Sequence, residues 1–354
     1  MKIIFVGNQY DHGKPELGPS NEYSNYYEAL VQMNNKENEV ILFPIDVVVK
    51  RDGIEKANKG LFDLVLREKP DAVFVFNMDA VQKDIMRRIT QESGAKTFTW
   101  SLDDHWNFYK CSKYWAPLFH WIFTTDPRAI AKYDKIGFKN AVFMPQGFNP
   151  FLFKAQVLPK IYDVTFIGRP HGVRKEIMKK LGDAGIRVEC FGEGWSNGHI
   201  TNEEKIRIIC QSKINLNLAE SSGVLWKQLA LIFVHRNFDR SLGVNSPLKW
   251  YENFQTLLAQ NREQIKGRIF HVLGCGGFLL TGYAESMEKL FEPDKEVVFF
   301  RDFNEMVKKI KYYLVHDKER EDIAKAGYER SFRDHTMEKR FNQIFKIILS
   351  GHSG

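Results

Sequence analysis

Residues 263–281, EQIKGRIFHVLGCGGFLLT, decide how the chain is read. They run as an amphipathic helix, a small-residue turn and an apolar strand. Lys266, Arg268 and His271 lie along the expected helix, and Gly274, Cys275, Gly276 and Gly277 make the turn. That order suggests an α/β domain in which backbone and cationic side chains come close to a phosphorylated ligand.

Working outward, the same alternation precedes the stretch. Residues 163–167 (DVTFI) form a strand ending in Gly168, Arg169 and Pro170, with a basic helix at 174–181. An arginine between a strand end and a helix N-terminus suits a diphosphate, through bidentate hydrogen bonds and the helix dipole. A further strand at 187–191 leads into GEGWSNG, which carries Gly192 and Gly194. Thr201 and Glu204 form a capping box, and 213–218 reads as another strand. Downstream come a strand at 296–300, a second capping box at Asp302 and Glu305, and helices at 306–314, 317–330 and 336–349. Residues 220–262 are less regular and mix aromatic with basic side chains. That mixture suits local packing, an acceptor surface or a lipid interface, and 225–234 reads equally as helix or strand.

The first half alternates in the same way. Strands are expected at 2–6, 39–44, 71–76, 96–100, 120–124 and 141–144. Helices are expected after Ser20, at 54–68 and at 83–90. Asp11, His12 and Gly13 follow the first strand, where open α/β sheets bind ligands. Asp103 and Asp104 follow the fourth, in SLDDHW, and suit an acceptor hydroxyl, a cation or a helix cap. No GxGxxG follows the first strand. Residues 149–160, with two prolines and no periodicity, read as the linker between two βα-repeated halves.

The bulk figures fit this. Hydrophobic residues make up 44 % and charged residues 27 %, as in an ordinary globular protein, and the formal charge of +7 suits an anionic partner. The four cysteines show no metal-ligand spacing, and no run reaches the length of a membrane span. A cytoplasmic protein is the expectation.

QIKGRIFHVLGCGGFLLT, the strand EVVFF, DFNEMVKKIKYYL and KEREDIAKAGYERSFRDHT together resemble the C-terminal part of CgeB-like glycosyltransferases, which belong with the group 1 enzymes. SLDDHW, TTDPRAIAKYDKIGFKN and DVTFIGRPHGVRKEIMKKL are similar to the same family. The resemblance implies a GT-B fold: two facing Rossmann-like domains, with a C-terminal helix crossing back to the first. The boundaries follow as an acceptor domain over 1–150, a nucleotide-sugar donor domain over 151–335 and the returning helix over 336–354.

It also implies a metal-independent transfer of a sugar from a nucleoside diphosphate sugar, expected to be UDP-linked, to an acceptor hydroxyl. No cofactor beyond that donor is implied. Arg169 and Lys266 would approach the diphosphate with Arg268 beside them, and Gly168, Gly192, Gly194, Gly276 and Gly277 would allow close approach. Glu263 stands at the first position of a glutamate pair eight residues apart, and His271 at the second. An inverting route would draw its base from Asp11, His12, Asp103 or Asp104, whereas group 1 likeness favours retention. The rival readings are a nucleotide-sugar epimerase on the same scaffold and a basic nucleic-acid-binding protein. Peripheral membrane contact is compatible with the aromatic–basic insertion.

Overall fold

The computed structural model describes residues 1–33, 38–219, 229, 232–236, 242–260 and 263–351. The chain forms two compact units. One comprises residues 1–104, 111–152 and the chain from Thr336 onward; the other comprises 105–110 and 153–335.

The first unit is built on a six-stranded parallel sheet. Its strands are β1 (Lys2–Gly7), β2 (Glu39–Pro44), β3 (Ala72–Val75), β4 (Lys96–Ser101), β5 (Trp121–Thr124) and β6 (Ala141–Phe143). They lie in the order β2-β1-β3-β4-β5-β6, with Ile4 opposite both Ile41 and Val73. Short apolar runs such as AVFV, buried at every position of β3, are what a sheet covered on both faces requires. Because the order reverses at β1, the crevice between β1 and β3 is this sheet's switch point, and ligands of such sheets bind beyond the strand C-termini there.

The Met337–Ser350 helix completes this unit. Met337, Phe341, Ile344, Phe345 and Ile348 share one helical face and join the cluster around Ile3, Phe5, Phe74, Phe98 and Trp100. Phe341 presents its ring edge-on to both Phe74 and Trp100, at 6.1 Å from each centroid. Thr336 caps the helix by accepting from the Lys339 N–H at 3.3 Å, and the Met337 N–H donates to the Phe148 carbonyl at 2.9 Å.

The second unit carries a five-stranded parallel sheet. Its strands are β7 (Tyr162–Ile167), β8 (Glu189–Phe191), β9 (Ser212–Asn217), β12 (Leu279–Gly282) and β13 (Val298–Phe300). The order is β13-β12-β9-β7-β8, so the reversal falls between β7 and β9. Between β9 and β12 in sequence lie β10 (Val234–Arg236) and β11 (Leu242–Val244), an antiparallel pair, and the Pro247–Gln260 helix. The segment read equally as helix or strand therefore ends in strand at Val234, and most of it lies outside the described residues.

Three local expectations are revised. The helix of the central stretch spans Gly267–Gly274, with Lys266 as its extended N-cap, so Glu263 to Lys266 are not helical. The Thr201–Glu204 capping box is complete. At Asp302 only half a box forms: Asp302 accepts from the Glu305 N–H at 2.9 Å, while the Glu305 carboxylate takes the Arg301 N–H at 2.8 Å instead. The helix expected after Ser20 opens with a π-helix over Glu22–Tyr27.

Truncating Phe341 to alanine should cost the first unit about 3–5 kcal/mol, because a ring with no exposed surface leaves a cavity among Phe74 and Trp100. Urea unfolding followed by tryptophan fluorescence reads this. A change under about 1 kcal/mol would show that the helix does not complete this core.

Candidate active site

At the C-terminal edge of the second sheet the chain makes a tightly packed crest. β7 runs into Gly168, whose φ is 151°, and β8 runs into Gly192, whose φ is 123°. A Cβ at Gly192 would stand 3.0 Å from the Gly168 carbonyl, and one at Gly194 would stand 2.9 Å from the Pro170 ring. The Trp195 indole N–H donates to the Gly168 carbonyl at 2.6 Å. Gly168, Gly192 and Gly194 therefore belong to one structure, and only residues without a side chain fit it.

Arg268 reaches this crest from the second position of the Gly267–Gly274 helix. A Cβ at Gly168 would come within 2.3 Å of its Nη2. Its Nη1 donates to Asn217 Oδ1 at 3.1 Å, and Asn217 in turn donates to Thr281 Oγ1 at 2.8 Å. The guanidinium thus spans the ends of β7 and β9, which is the switch point of this sheet. Burial pulls its pKa down to about 9, and the neighbouring Arg174 adds to the effect. No carboxylate pairs with Arg268 among the described residues.

Arg174 is the cation that the sequence reading passed over. It is 5 % exposed, donates through Nη1 to the Arg169 carbonyl at 2.7 Å, and has no partner at Nε among the described residues. Both Arg174 and Arg268 lie over the Phe166 ring, at 5.5 and 5.0 Å from its centroid. Its signal was its place at the start of the basic helix after β7. Arg169 pairs with Glu193 at 2.5 Å, with both side chains substantially exposed. Such a pair contributes about 0–1 kcal/mol and yields readily to another anion. His171 registers the gathered charge: its pKa is lowered by burial and then by Arg174, Arg169 and Lys266.

Beside the cations is a cavity of about 320 Å³ at the ends of β9, β12 and β13. Ala219, Glu263, Gly282, Tyr283, Arg301 and Asp302 contribute to its lining. A Cβ at Gly282 would meet the Ala219 backbone at 3.1 Å, so glycine keeps the floor open. The Arg301 guanidinium lies over the Tyr283 ring at 4.7 Å. β9 links the two features: Asn217 holds Arg268, and Leu218 and Ala219 line the cavity.

Other members of the expected donor set lie elsewhere. Gly276 and Gly277 follow the helix C-terminus and precede β12, on the sheet edge away from the strand C-termini. A Cβ at Gly277 would meet Asn215 Nδ2 at 2.8 Å and Ile209 at 2.9 Å, so this glycine serves helix-on-strand packing. His271 is 6 % exposed and stacks on Phe153 at 4.1 Å, and it is not among the cavity's lining residues. Burial drives its pKa well down, so it is a neutral imidazole packed in the unit's interior.

In the first unit, Asp11 and His12 form a turn after β1, with His12 at a φ of 52° and 3.8 Å from Asp11. Asp103 is exposed at the end of β4, and β3 separates that strand from β1. Asp104 is fully buried, accepting from Ser101 Oγ at 2.6 Å and from the Tyr133 hydroxyl at 2.8 Å. Both carboxylate oxygens are occupied, so Asp104 anchors the chain after β4 and offers no base to an acceptor. No cluster of three His, Cys, Asp or Glu side chains suited to a metal ion occurs among the described residues. No described helix is long and apolar enough to cross a membrane.

Comparison with known proteins agrees with this architecture. A model of the family described as "Glycosyl transferase-like" matches residues 174–346. The spore protein CgeB of Bacillus subtilis is 20 % identical over 302 residues, covering 81 % of this chain and 90 % of CgeB. Among solved structures, Anabaena HepE in complex with UDP-glucose superimposes with a TM-score of 0.59 at 11 % identity, covering 99 % of this chain and all of HepE. Sucrose-phosphate synthase from Thermosynechococcus elongatus gives 0.58 at 10 % identity over 99 % of this chain and all of that one. The fold is GT-B, and the protein is a transferase of that class. Its second half matches the glycosyl transferase-like family, and over most of its length it is similar to CgeB.

Gly192→Ala should destabilise the second unit by about 1–3 kcal/mol, through both its positive φ and the contact with Gly168. Urea titration checks this, and unchanged stability would mean the crest is looser than its geometry indicates.

Proposed function

We propose that the chain transfers a sugar from a nucleoside diphosphate sugar to an acceptor hydroxyl, with the donor diphosphate held at the crest by Arg268, Arg169, Arg174 and Lys266. One observation carries this reading: a half-buried guanidinium at a sheet switch point, its pKa pulled down by desolvation, without a carboxylate partner among the described residues. A buried charge is costly unless paired, so the site is poised for an anion. Charge grows on the leaving diphosphate during transfer, and preorganised cations stabilise it without reorganising. The N-terminus of the Gly267–Gly274 helix, capped by Lys266, adds its dipole. These cations can supply the required stabilisation without a metal.

The cavity at the ends of β9, β12 and β13 takes another part of the donor. Glu263 can accept hydroxyl hydrogens there, and the Tyr283–Arg301 pair offers a flat, cationic surface. UDP is the nucleotide of choice because HepE, which shares the fold, was solved with UDP-glucose. In this reading residues 151–335 bind the donor, residues 1–150 provide the acceptor site, and the helix from 336 belongs structurally with the latter.

Two measurements test the proposal. UDP or UDP-glucose should raise the melting temperature, with saturation at 100 times Kd contributing about 2.7 kcal/mol. Arg268→Met should abolish most of that shift while keeping the fold, because methionine fills the space without the charge; an undiminished UDP shift would remove Arg268 from the donor site. Alanine at Arg169 and Lys266 together should lower transfer from UDP-glucose by about 100-fold or more. Near-normal turnover would overturn the assignment of the diphosphate to this crest.

A further inference from the structure

An arginine drawn out of water ordinarily meets a carboxylate, whereas Arg268 meets an amide. Asn217, the last residue of β9, is fully buried and stands opposite Thr281 in the β9–β12 pair. Its two ends are told apart by what surrounds them. The Thr281 hydroxyl donates to the Gly282 carbonyl at 3.1 Å, so its oxygen is left to accept, and Asn217 Nδ2 donates to it at 2.8 Å. The amide oxygen therefore points the other way, where Arg268 Nη1 donates to it at 3.1 Å. Donors thus run in one direction, from Arg268 to Asn217, from Asn217 to Thr281 and from Thr281 to Gly282. Turning the amide over would set the Asn217 NH2 group against the Arg268 guanidinium, donor against donor, so the chain fixes both the amide and the cation it holds.

The rest of the guanidinium is arranged so that its charge stays uncancelled. Its face lies on the Phe166 ring at 5.0 Å, and Gly168 leaves room for Nη2. The bond to Asn217 is the hydrogen bond that Arg268 makes among the described residues. The charged group that acts on it is another cation, Arg174. A carboxylate at position 217 would have the size of the amide and could accept both from Arg268 and from the Thr281 hydroxyl. It would also form a charge-assisted pair, leaving Arg268 little charge to offer an incoming anion. An amide gives the same aim and brings no charge of its own.

We propose that Asn217 is a positioning residue for the donor diphosphate: its neutral amide aims Arg268 across the β7–β9 junction and leaves the whole positive charge for the ligand. The assignment deepens the donor-site reading above and rests on it. Thr281 shares the role by fixing which way the amide turns. Every group in the chain belongs to the second unit.

The test measures UDP binding by titration calorimetry, and the ligand-free melting temperature, on the full chain. It compares the wild type with Asn217→Asp, Asn217→Ala, Arg268→Met and the double variant Asn217→Ala with Arg268→Met. If Asn217 served packing alone, the isosteric Asn217→Asp would do less harm than Asn217→Ala in both measurements. A role in keeping the charge open splits the order. Asn217→Asp should keep or raise the melting temperature, because the new carboxylate pairs with Arg268. It should nevertheless raise the Kd for UDP by about 100-fold or more, as much as Arg268→Met does. Asn217→Ala should lower the melting temperature and raise the Kd by about tenfold, because the charge remains but loses its aim. In the Arg268→Met background, Asn217→Ala should leave the Kd unchanged, because it acts through the guanidinium.

An Asn217→Asp chain that binds UDP within about threefold of the wild type would overturn the proposal. So would Asn217→Ala binding UDP more weakly than Asn217→Asp, or Asn217→Ala keeping its full effect without Arg268. An Asn217→Asp chain that does not fold also counts against it, since the site would then be unable to pair the carboxylate with Arg268. In each of these cases the donor site stands, because the wild type binds UDP and Arg268→Met does so far more weakly. A wild type that binds no UDP, or an Arg268→Met variant that binds it as the wild type does, overturns the donor-site reading, and this proposal with it.

Discussion

The second unit is arranged around a cation wedged between two strand ends. Arg268 can occupy the β7–β9 junction only because Gly168 offers no side chain, and it is held there by Asn217, itself buried and tied to Thr281. Removing water from a guanidinium is unfavourable, and a second guanidinium at Arg174 increases the strain. The protein tolerates this because the surrounding backbone is overdetermined: three glycines, an indole hydrogen bond and two cation–ring contacts fix the crest from several sides. Local instability is thus built into the place where an anionic ligand would restore it.

The two sheets share a rule, and each puts chemistry where its own strand order reverses. In the second unit the reversal gathers positive charge around Arg268; in the first it gathers the carboxylates of Glu22, Asp11 and Asp46 around the end of β1. A diphosphate needs the former. The latter makes a carboxylate more basic, since neighbouring negative charge disfavours its ionised form. The opposite polarity of two similar crevices comes from loop residues, while the sheets beneath them remain alike.

Most of the scaffold was legible because buried parallel strands announce themselves. AVFV and DVTFI are too apolar to lie anywhere else, and Phe341, Ile344, Phe345 and Ile348 have the period of a helix with one buried face. The site was less legible. Glu263 and His271 look like one motif by spacing, yet residues 263–266 lie outside the helix, so the spacing does not translate into a shared helical face. Glu263 lines the cavity while His271 packs on Phe153. Asp104 looked available until Ser101 and Tyr133 were seen to occupy it. The π-helix over Glu22–Tyr27 was hidden by its tyrosines, which read as a regular amphipathic helix. Nothing in EYSNYY signals a π-turn, which depends on how Ser20 and Asn8 meet in space. Arg174 was visible as a basic residue, but its burial was set by packing against Phe166.

The Met337–Ser350 helix has a consequence for how the protein comes into being. The first unit is discontinuous: all of β1–β6 precede residue 153, but the helix that seals Phe74 and Trp100 follows residue 335. On a ribosome adding about 5–20 residues per second, the first sheet emerges and then waits on the order of ten seconds or more for its missing face. During that interval the apolar face that the helix covers lacks its partner, while the second unit, nearly all of it within residues 153–335, is made. Nascent chains of this design are therefore most exposed to misassociation midway through synthesis, and closure of the first core is the step that ends the exposure.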